Sequence, residues 1–503
     1  MITPRLIAIM AEDSLTSRAT NRRDVLLPGR VRSFASDHRA LIVSLLFALL
    51  SGGIYYYSGF QETAQNNFVR LADAFLDGRV DMGPSAPQLE AFIELAYNDG
   101  KGYIIPPPWP AIIMLPLVAI WGMGVNQALI SAILGGVTVA TVFNVTRSLS
   151  QKIWTQIWLT VLVAFGTVFW FTAANGAVWF FSHTVAVLFL FLAVYFTLGR
   201  RNALMAGLCL GAAFWTRQPT ILTLPFFLII FSDDWLRWEA ERPLWKRINW
   251  EPLLLLGSGV GVFVLASFWY NMVRWGTPLD ASQHHLPERV LAQPWFNHGP
   301  FDPRYISRHV VVFFEGAPRA RSEEPYFLSN NYGSAIWVTT PAFLWALFAG
   351  WRDRRVVLVA VTLLLVATGI VVSKTMSGLW DSDWYTYQFP RHLNILPFYI
   401  VIAMALWFGR KDKFVMACWA AILPTALMLF TFAGTGWVQF GYRFQLDFMP
   451  FLFLLTAYAM GPDLKWHHKA LIALSVLLNL WAILWIYQFE PNHTFDIAQW
   501  TSF

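Results

Sequence analysis

The chain has 503 residues, of which 56% are hydrophobic and only 13% are charged. This balance excludes an ordinary water-soluble domain and is typical of a protein dissolved largely in lipid. The net charge of +6 comes from basic residues dispersed in short clusters between apolar runs, a pattern that argues against nucleic-acid binding. Cys209 and Cys418 each lie in an apolar run, so neither a disulfide framework nor a thiolate metal cluster is expected.

The N-terminal segment is basic. Residues 1–40 carry seven arginines, with no early apolar stretch and no small-residue cleavage site before the first apolar run. A secretory signal peptide would need both features. We therefore expect residues 1–40 to form a basic cytosolic tail.

Apolar runs of about 20 residues predict an all-α polytopic membrane protein with about thirteen transmembrane helices. Residues 106–123 are the main ambiguity, because five prolines crowd this segment. Proline runs do not open a normal membrane-spanning helix, so we interpret it as re-entrant or lying along the outer interface. The predicted spans lie near residues 41–58, 125–145, 153–172, 184–199, 203–216, 218–232, 253–274, 334–350, 356–373, 395–409, 413–432, 447–461 and 468–487.

The charges of the connecting segments predict the orientation. The tail and the short links hold 23 of the 36 Lys and Arg but only 12 of the 30 acids, which gives +11 on their side and −5 elsewhere. The positive-inside rule then predicts a multi-pass protein of the cell (inner) membrane, with a cytoplasmic N-terminus and an extracytoplasmic C-terminus. The short links are residues 146–152, 200–202, 233–252, 351–355, 410–413 and 461–469.

With this orientation the long loops lie outside the cell. No glycine-rich phosphate loop of the Walker type occurs, which argues against an ATP-driven pump. We divide the chain into the tail 1–40, a transmembrane module 41–275, an extracytoplasmic loop 276–333 and a C-terminal transmembrane module 334–503. The outer segments are 59–124, 275–333, 374–394, 433–446 and the tail from residue 488.

The first outer loop contains an amphipathic pattern. Residues 66–80 place apolar side chains on one helical face and charged side chains on the other, which predicts an interfacial helix. Its Asp73, or a neighbour such as Glu62 or Asp81, either rests in water or points into a membrane-level cavity as a general base. Further along the same loop, Lys101 either snorkels to the interface or clamps a lipid phosphate as a point charge.

Two arginines lie at the edges of apolar runs. A charge at such depth is costly unless it is paired or faces an aqueous cavity, so each is a candidate for function. Arg217 has no acid nearby in sequence, which favours an external anion such as phosphate. Arg443 has Asp447 four residues later, so an internal pair is the alternative there. The segment around Arg391 resembles the segment around Arg443, which places the two arginines in matching positions before an apolar run.

Five motifs in this order resemble the GT-C superfamily of polyprenyl-phosphate-sugar glycosyltransferases, and especially its 4-amino-4-deoxy-L-arabinose transferase and protein O-mannosyltransferase branch. The likeness extends over about residues 41–487. It includes the plan of one span, a long outer loop with an amphipathic helix, a proline-rich return and then many spans. The motifs read FVRLADAFLDGRVD, YNDGKGYIIPPPWPAIIMLP, GLCLGAAFWTRQP, WYNMVRWGTPL and FGYRFQLDFMPFLFLL.

This resemblance implies a glycosyltransferase that uses a lipid-linked sugar donor. An outer-loop carboxylate would deprotonate the acceptor, and basic residues would hold the phosphate leaving group. Many members carry Asp-Glu at the start of the first outer loop, where this chain has residues 64–67 (AQNN), so the role of base would pass to Asp73 or Glu62. We prefer Asp73. The expected substrate-binding residues are Lys101, Tyr103, Trp109, Arg217, Arg391 and Arg443, with Tyr103 and Trp109 as stacking surfaces.

The expected partners are membrane lipids, a polyprenyl-phosphate sugar and an extracytoplasmic acceptor, with no nucleic acid. No cofactor is certain. The histidines of loop 275–333 lack the spacing of a helical zinc site, and a divalent metal is left open. Two alternatives from other classes are a transporter or flippase for a lipid-linked substrate and a non-catalytic subunit of a membrane complex.

Overall fold

The computed structural model describes residues 34–83, 95–236, 247–320, 322, 327–328, 332–351, 353–376, 389–436 and 439–489. Most of the predicted basic tail, most of the loop 374–394 and most of the C-terminal tail therefore lie outside the described residues.

The described chain is mainly helical. Its α-helices are α1 Phe34–Ser58, α2 Asn67–Leu76, α3 Trp109–Trp121, α4 Gln127–Leu149, α5 Ile153–Phe165, α6 Phe169–Asn175, α7 Val178–Leu198, α8 Ala203–Phe214, α9 Leu224–Ile230, α10 Ser232–Trp235, α11 Trp250–Trp275, α12 Glu288–Leu291, α13 Ile306–Glu315, α14 Ile336–Thr339, α15 Arg354–Met376, α16 Phe389–Gly409, α17 Lys413–Phe430, α18 Met449–Met460 and α19 Trp466–Ile483. The 3₁₀ segments that matter below are Gln218–Thr223, Pro341–Phe348 and Arg443–Asp447.

Short strands occur only as pairs among the described residues. β1 (Leu95–Asn98) and β2 (Lys101–Ile104) form an antiparallel hairpin, and β3 (Arg319–Ala320) pairs antiparallel with β4 (Phe327–Leu328). β5 (Tyr332–Ser334) and β6 (Gln439–Gly441) pair in parallel, which ties the loop before α14 to the segment before α18. The β1–β2 turn is tight, since Asp99 and Gly100 both have positive φ.

Among the described residues, eight helices are long and apolar enough to cross a membrane: α1, α4, α7, α11, α15, α16, α17 and α19. The pair α5 and α6, bent by 54°, would make nine if it is one broken span. The chain is thus an all-α protein with the helices of a multi-pass membrane protein. The predicted number of thirteen is not confirmed, because five of the predicted spans, one of them the bent pair, are short or broken helices.

Proline explains three of these differences. Pro219 and Pro225 lie at the starts of the 3₁₀ segment Gln218–Thr223 and of α9, which divide the predicted span 218–232. Pro341 opens a 3₁₀ segment in place of a continuous helix over 334–350, and Pro450 opens α18, which has 12 residues. A proline lacks the amide hydrogen that a helix interior needs, so helices begin at it. The predicted span 203–216 becomes the 12-residue α8, which ends three residues before Arg217.

The segment 106–123, predicted not to be a normal span, forms helix α3 directly after its proline run. This helix has 13 residues, contains Pro116 and continues into one 3₁₀ turn that ends at Gly124. It is shorter than the roughly 20 residues needed to cross a bilayer. The amphipathic pattern of the first loop is also helical, as α2, whose apolar face with Phe68 and Leu71 is buried.

The loops gather at two ends of the helical body. At one end, Arg274 Nη1 donates to the Ile104 carbonyl (2.9 Å), and Asp302 N donates to the Thr431 carbonyl (2.8 Å). We call this the loop-rich end; it includes the described parts of residues 59–126, 276–335 and 431–448.

At the opposite, short-turn end, Ser150 Oγ donates to the Pro462 carbonyl (3.0 Å), and Lys413 pairs with Asp233 at 2.7 Å. Its described parts belong to residues 149–152, 199–202, 231–249, 349–353, 409–412 and 461–465. The structure therefore groups the short basic links together, as the charge pattern predicted. Which end faces the cytosol stays a prediction.

Helix α7 lies at the centre of the body. Of its apolar stretch, 78% is buried inside the molecule, against 22% for α1 and for α15. Its sequence is apolar on all faces, which is typical of a helix surrounded by other helices. Close crossings support this packing: a Cβ on Gly207 of α8 would lie 2.3 Å from the Leu256 carbonyl oxygen of α11. Small residues at such positions let helix backbones approach closely.

Candidate functional site

A buried ion pair lies where α8 and the segment before α18 meet. Arg217 Nε donates to Asp447 Oδ1 (2.6 Å), and its Nη2 donates to Asp447 Oδ2 (2.8 Å). The Asp447 side chain is 0% exposed and that of Arg217 is 17% exposed. A two-pronged bond of this kind is the strongest geometry for an arginine and a carboxylate. The two residues lie 230 positions apart, so their pairing could not be predicted from sequence spacing.

Local chain geometry explains how Arg217 reaches this place. Helix α8 ends at Phe214, and Arg217 has an extended backbone, with φ of −146° and ψ of 105°. Arg217 is the extended residue directly before the 3₁₀ segment Gln218–Thr223, so the chain changes direction at this position. The guanidinium therefore leaves the line of α8 and points towards the 3₁₀ segment Arg443–Asp447, whose last residue is its partner.

His183 joins the pair from α7. Its Nδ1 lies 3.2 Å from Asp447 Oδ1, without the alignment of a formed hydrogen bond, and the ring is completely buried. Its Nε2 also makes no hydrogen bond within the described chain. The predicted span began at residue 184, so this histidine was missed. Its position inside an apolar run could have identified it, because burying an ionisable side chain there costs free energy, and such residues are often functional.

Arg443 lies near the same aromatic ring as Arg217, that of Phe444. Its guanidinium carbon is 4.9 Å from the ring centroid of Phe180 and 5.6 Å from that of Phe444. Arg217 is also 5.6 Å from the Phe444 ring. The face of an aromatic ring attracts cations, so Phe444 helps to hold both arginines. We call His183, Arg217, Arg443 and Asp447 the buried charge cluster.

The buried charge cluster also has hydrogen-bond donors without a partner. Next to the two arginines, the Gln445 side chain is 1% exposed, and neither of its amide atoms has a hydrogen-bond partner among the described residues. The Arg217 Nη1 makes no hydrogen bond to the described protein either. An oxygen-rich anion would satisfy these donors.

The two predicted bases lie elsewhere on the loop-rich end. Asp73 is half-buried on α2, on the helical face opposite Phe68 and Phe75, and Glu62 is exposed before α2. No hydrogen bond or ion pair of either carboxylate occurs among the described residues. The structure therefore does not join them to the buried charge cluster through any bond.

Lys101 and Tyr103 lie on the hairpin β1–β2. Lys101 is 60% exposed, and its Nζ lies 3.8 Å from Asp81 Oδ2. Tyr103 is buried against Trp275, with ring centroids 5.2 Å apart. Burial raises the pKa of Tyr103, and the nearby Asp81 and Asp99 raise it further. Neither predicted ligand contacts the buried charge cluster.

Of two further predicted substrate-binding residues, Trp109 lies near the buried charge cluster, and the Arg391 side chain is not described. Trp109 opens α3, and its backbone N donates to the Trp215 carbonyl (3.3 Å), two residues before Arg217. It therefore borders the region of the buried charge cluster. Arg391 lies on α16, but its side chain is outside the described residues, so its predicted match with Arg443 stays a prediction.

A buried arginine on α11 was also missed. Arg274 is 2% exposed and lies 4.1 Å from the Tyr270 ring centroid. Its Nη2 donates to Asn271 Oδ1 (2.8 Å) and lies 3.7 Å from Asp280 Oδ1. Asp280 Oδ2 in turn accepts from Gln218 Nε2 (3.0 Å), the residue after Arg217. Arg274 falls in the motif WYNMVRWGTPL, and its charge at the end of an apolar run was the available signal.

A second histidine helps to close the loop-rich end. His309 is completely buried, with Nε2 2.7 Å from the Phe432 carbonyl oxygen and Nδ1 2.7 Å from the Tyr442 hydroxyl. Because a carbonyl can only accept, Nε2 donates, and a neutral ring then accepts from Tyr442 at Nδ1. Burial lowers the pKa of His309 to about 3. The ring is thus neutral near pH 7 and serves to join α13 to the segment before Asp447.

Within the described chain, no three His, Cys, Asp or Glu side chains form a group that could hold a metal ion. Comparison with known proteins gives no match: no protein-family model, curated protein or solved structure is similar to this chain.

Proposed function

We propose that the protein is a membrane glycosyltransferase that moves a sugar from a polyprenyl-phosphate donor to an extracytoplasmic acceptor, either a lipid, a glycan or a protein. The observation that carries the proposal is the buried charge cluster, beside which the Gln445 amide and Arg217 Nη1 have no hydrogen-bond partner in the described chain. Unbonded donors next to two arginines favour an anionic ligand with several oxygens. A phosphate attached to a polyprenyl chain has both the charge and an apolar tail suited to the surrounding helices.

The proposed reaction needs three kinds of group. A base takes the proton of the acceptor hydroxyl as its oxygen attacks the anomeric carbon from the side opposite the phosphate. The bond between the anomeric carbon and the phosphate oxygen breaks, the configuration inverts and the polyprenyl phosphate departs as an anion. Arg217 and Arg443 stabilise the charge that develops on this leaving group. Asp73 is the proposed base, with Glu62 as the alternative.

The proposed location is the cell (inner) membrane, with the loop-rich end outside. Support comes from the charge difference between the two ends, since the short-turn end collects the basic links. The proposed fold is GT-C-like, with α2 as the interfacial helix of the first outer loop. The N-terminus would then be cytoplasmic and the C-terminus extracytoplasmic.

Transfer from radiolabelled undecaprenyl-phosphate sugars in membrane vesicles tests this proposal. Asp73→Asn should lower the rate of transfer by about 10²- to 10⁴-fold, the usual contribution of a general base. Arg443→Gln should lower it by about 10²-fold or more through loss of phosphate stabilisation. The control is Arg304→Gln, because Arg304 is exposed and bonds Asp302 within its own turn. Normal turnover in Asp73→Asn and Glu62→Gln alike would remove both proposed bases.

One observation favours a second function, a non-catalytic lipid-binding subunit. The carboxylate of the buried charge cluster is bonded to Arg217, and neither Asp73 nor Glu62 is bonded to that cluster. Such a protein would hold a lipid phosphate without transferring a sugar. Mass spectrometry of lipids that co-purify with the chain separates the two cases. A bound polyprenyl-phosphate sugar with turnover supports transfer, whereas a stable protein partner and no turnover support the subunit.

A further inference from the structure

Five aromatic side chains pack together beside Arg217, where α2, α3 and α11 meet the end of α8. We call them the aromatic cluster: Phe75, Trp109, Trp215, Phe263 and Tyr270. The ring centroid of Trp109 lies 5.0 Å from that of Phe263 and 6.1 Å from that of Trp215. Phe75 of α2 lies 6.3 Å from Tyr270 of α11. The cluster thus joins the first outer loop to the segment that carries Arg217.

Three members of the aromatic cluster have buried polar atoms without a partner. Trp109 Nε1, Trp215 Nε1 and Tyr270 Oη have no hydrogen-bond partner among the described residues. An indole N–H can only donate, so each tryptophan needs an acceptor that the described protein does not supply. Buried polar groups of this kind are nearly always bonded, and tryptophan and tyrosine usually find a partner for their polar atom.

Other buried tryptophans of the chain provide a comparison. Trp337 Nε1 donates to the Phe314 carbonyl (2.7 Å), and Trp170 Nε1 donates to Ser58 Oγ (2.9 Å). The indole nitrogens of Trp275, Trp351 and Trp419 also have no partner in the described chain, but each of these residues belongs to a different packed group from the aromatic cluster. Three unpaired donors in one packed group therefore point to a shared occupant that carries acceptor oxygens.

The aromatic cluster has a polar edge that continues to the buried charge cluster. Arg274 stacks on Tyr270 and approaches Asp280, whose carboxylate accepts from Gln218, and Gln218 follows Arg217 directly. Along the chain, Trp215 and Arg217 are two residues apart, so their Cα atoms lie no more than about 7 Å from each other. If the phosphate of a ligand binds Arg217, the group attached to that phosphate can reach the aromatic cluster.

We infer that the aromatic cluster is the binding site for the glycosyl group of the lipid-linked donor, with Trp215 and Tyr270 as hydrogen-bond donors to its oxygens. This inference rests on the proposed function. A sugar ring offers hydroxyl and ring oxygens as hydrogen-bond acceptors, and its apolar C–H faces pack on aromatic rings. Both properties match a site lined by aromatic side chains and a few polar atoms. An acyl chain would leave all three donors unbonded, and a bare anion would bind the arginines instead.

Binding of two lipids to the purified full chain in nanodiscs tests the inference. The probes are undecaprenyl phosphate and undecaprenyl phosphate carrying glucose, mannose or 4-amino-4-deoxyarabinose. Wild type should bind at least one glycosylated lipid more tightly than undecaprenyl phosphate. Trp215→Phe and Tyr270→Phe keep an aromatic ring and remove one donor each. Each should weaken binding of that glycosylated lipid by about tenfold, or roughly 1.4 kcal/mol, and leave binding of undecaprenyl phosphate unchanged.

Trp419→Phe is the matched control, because it removes a buried and unpaired indole N–H at a distance from the site, and it should change neither affinity. Since Trp215 Nε1 has no protein partner to lose, a lower unfolding temperature of Trp215→Phe would report only its smaller ring, and Trp419→Phe makes the same change of ring. Equal binding of all lipids by wild type, or equal weakening of both kinds in Trp215→Phe, would overturn the inference. Water as the occupant predicts no difference between the lipids and counts against it too. Failure of wild type to bind even undecaprenyl phosphate would reject the proposed function itself.

Discussion

The ion pair between Arg217 and Asp447 can be measured by a double-mutant cycle. Arg217→Met leaves a fully buried carboxylate without its main partner, and Asp447→Leu leaves Arg217 without the carboxylate that it bonds. Breaking a buried pair from one side costs about 3–5 kcal/mol. Because the Arg217 side chain is 17% exposed, we expect the lower end, about 3 kcal/mol, for each single change. The double variant removes both charges and should cost no more than one single change.

The assay is chemical unfolding of each variant in detergent micelles, followed by the fluorescence of the 26 tryptophans. The expected coupling between the two changes is about 3 kcal/mol. The same cycle on the exposed pair of Arg304 and Asp302 should give no measurable coupling. If the two single effects at Arg217 and Asp447 add to the double effect within about 0.5 kcal/mol, the pair is not energetically coupled and the reasoning is wrong.

Three further results are expected from the structure. Since the folded chain keeps His309 neutral with a pKa of about 3, the unfolded chain alone takes up that proton as the pH falls from about 6.5 towards 3. The free energy of unfolding should therefore fall in this range, and His309→Gln should reduce the slope by about 1.4 kcal/mol per pH unit. Gly207→Ala should destabilise the protein by about 1–3 kcal/mol, because its Cβ would lie 2.3 Å from a carbonyl oxygen of α11. Gly257→Ala, with no atom within 4 Å of its Cβ, is the control and should show no loss in the same unfolding assay. Gln127 bonds the backbone of the first outer loop and of the turn before α7, so Gln127→Leu should cost about 2 kcal/mol and speed hydrogen exchange in α2; unchanged exchange there would contradict its proposed role.

Much of the helical architecture follows from sequence patterns. The apolar runs locate the long helices, because a segment that dissolves in lipid must bond its backbone internally. The spacing of Phe68, Leu71 and Phe75 predicts α2, since apolar residues three or four apart share one face. The proline run also predicts that residues 106–123 are no ordinary span. Pro225, Pro341 and Pro450 also lack the amide hydrogen that a helix interior needs, so their positions could have been used to predict breaks in further apolar runs.

The candidate site depended on the tertiary structure. The sequence singled out Arg217 and Arg443 because charged residues in apolar runs are costly, and it offered Asp447 as a partner for Arg443 by helical spacing. In the folded chain the segment 443–447 is a 3₁₀ turn instead, and Asp447 bonds Arg217 from a distant part of the chain. His183 reaches the same carboxylate from α7.

By itself, then, the sequence determined that this is a helical membrane protein with basic short links and two costly arginines, because hydropathy and charge act locally along the chain. Only the tertiary structure decided which charges meet and which polar atoms stay without partners. The physical reason is that pairing depends on distances across helices, and sequence separation carries no information about them when 230 residues lie between Arg217 and Asp447. The packing of Trp109, Trp215 and Tyr270 into one group arose in the same way, from three elements that only the fold brings together.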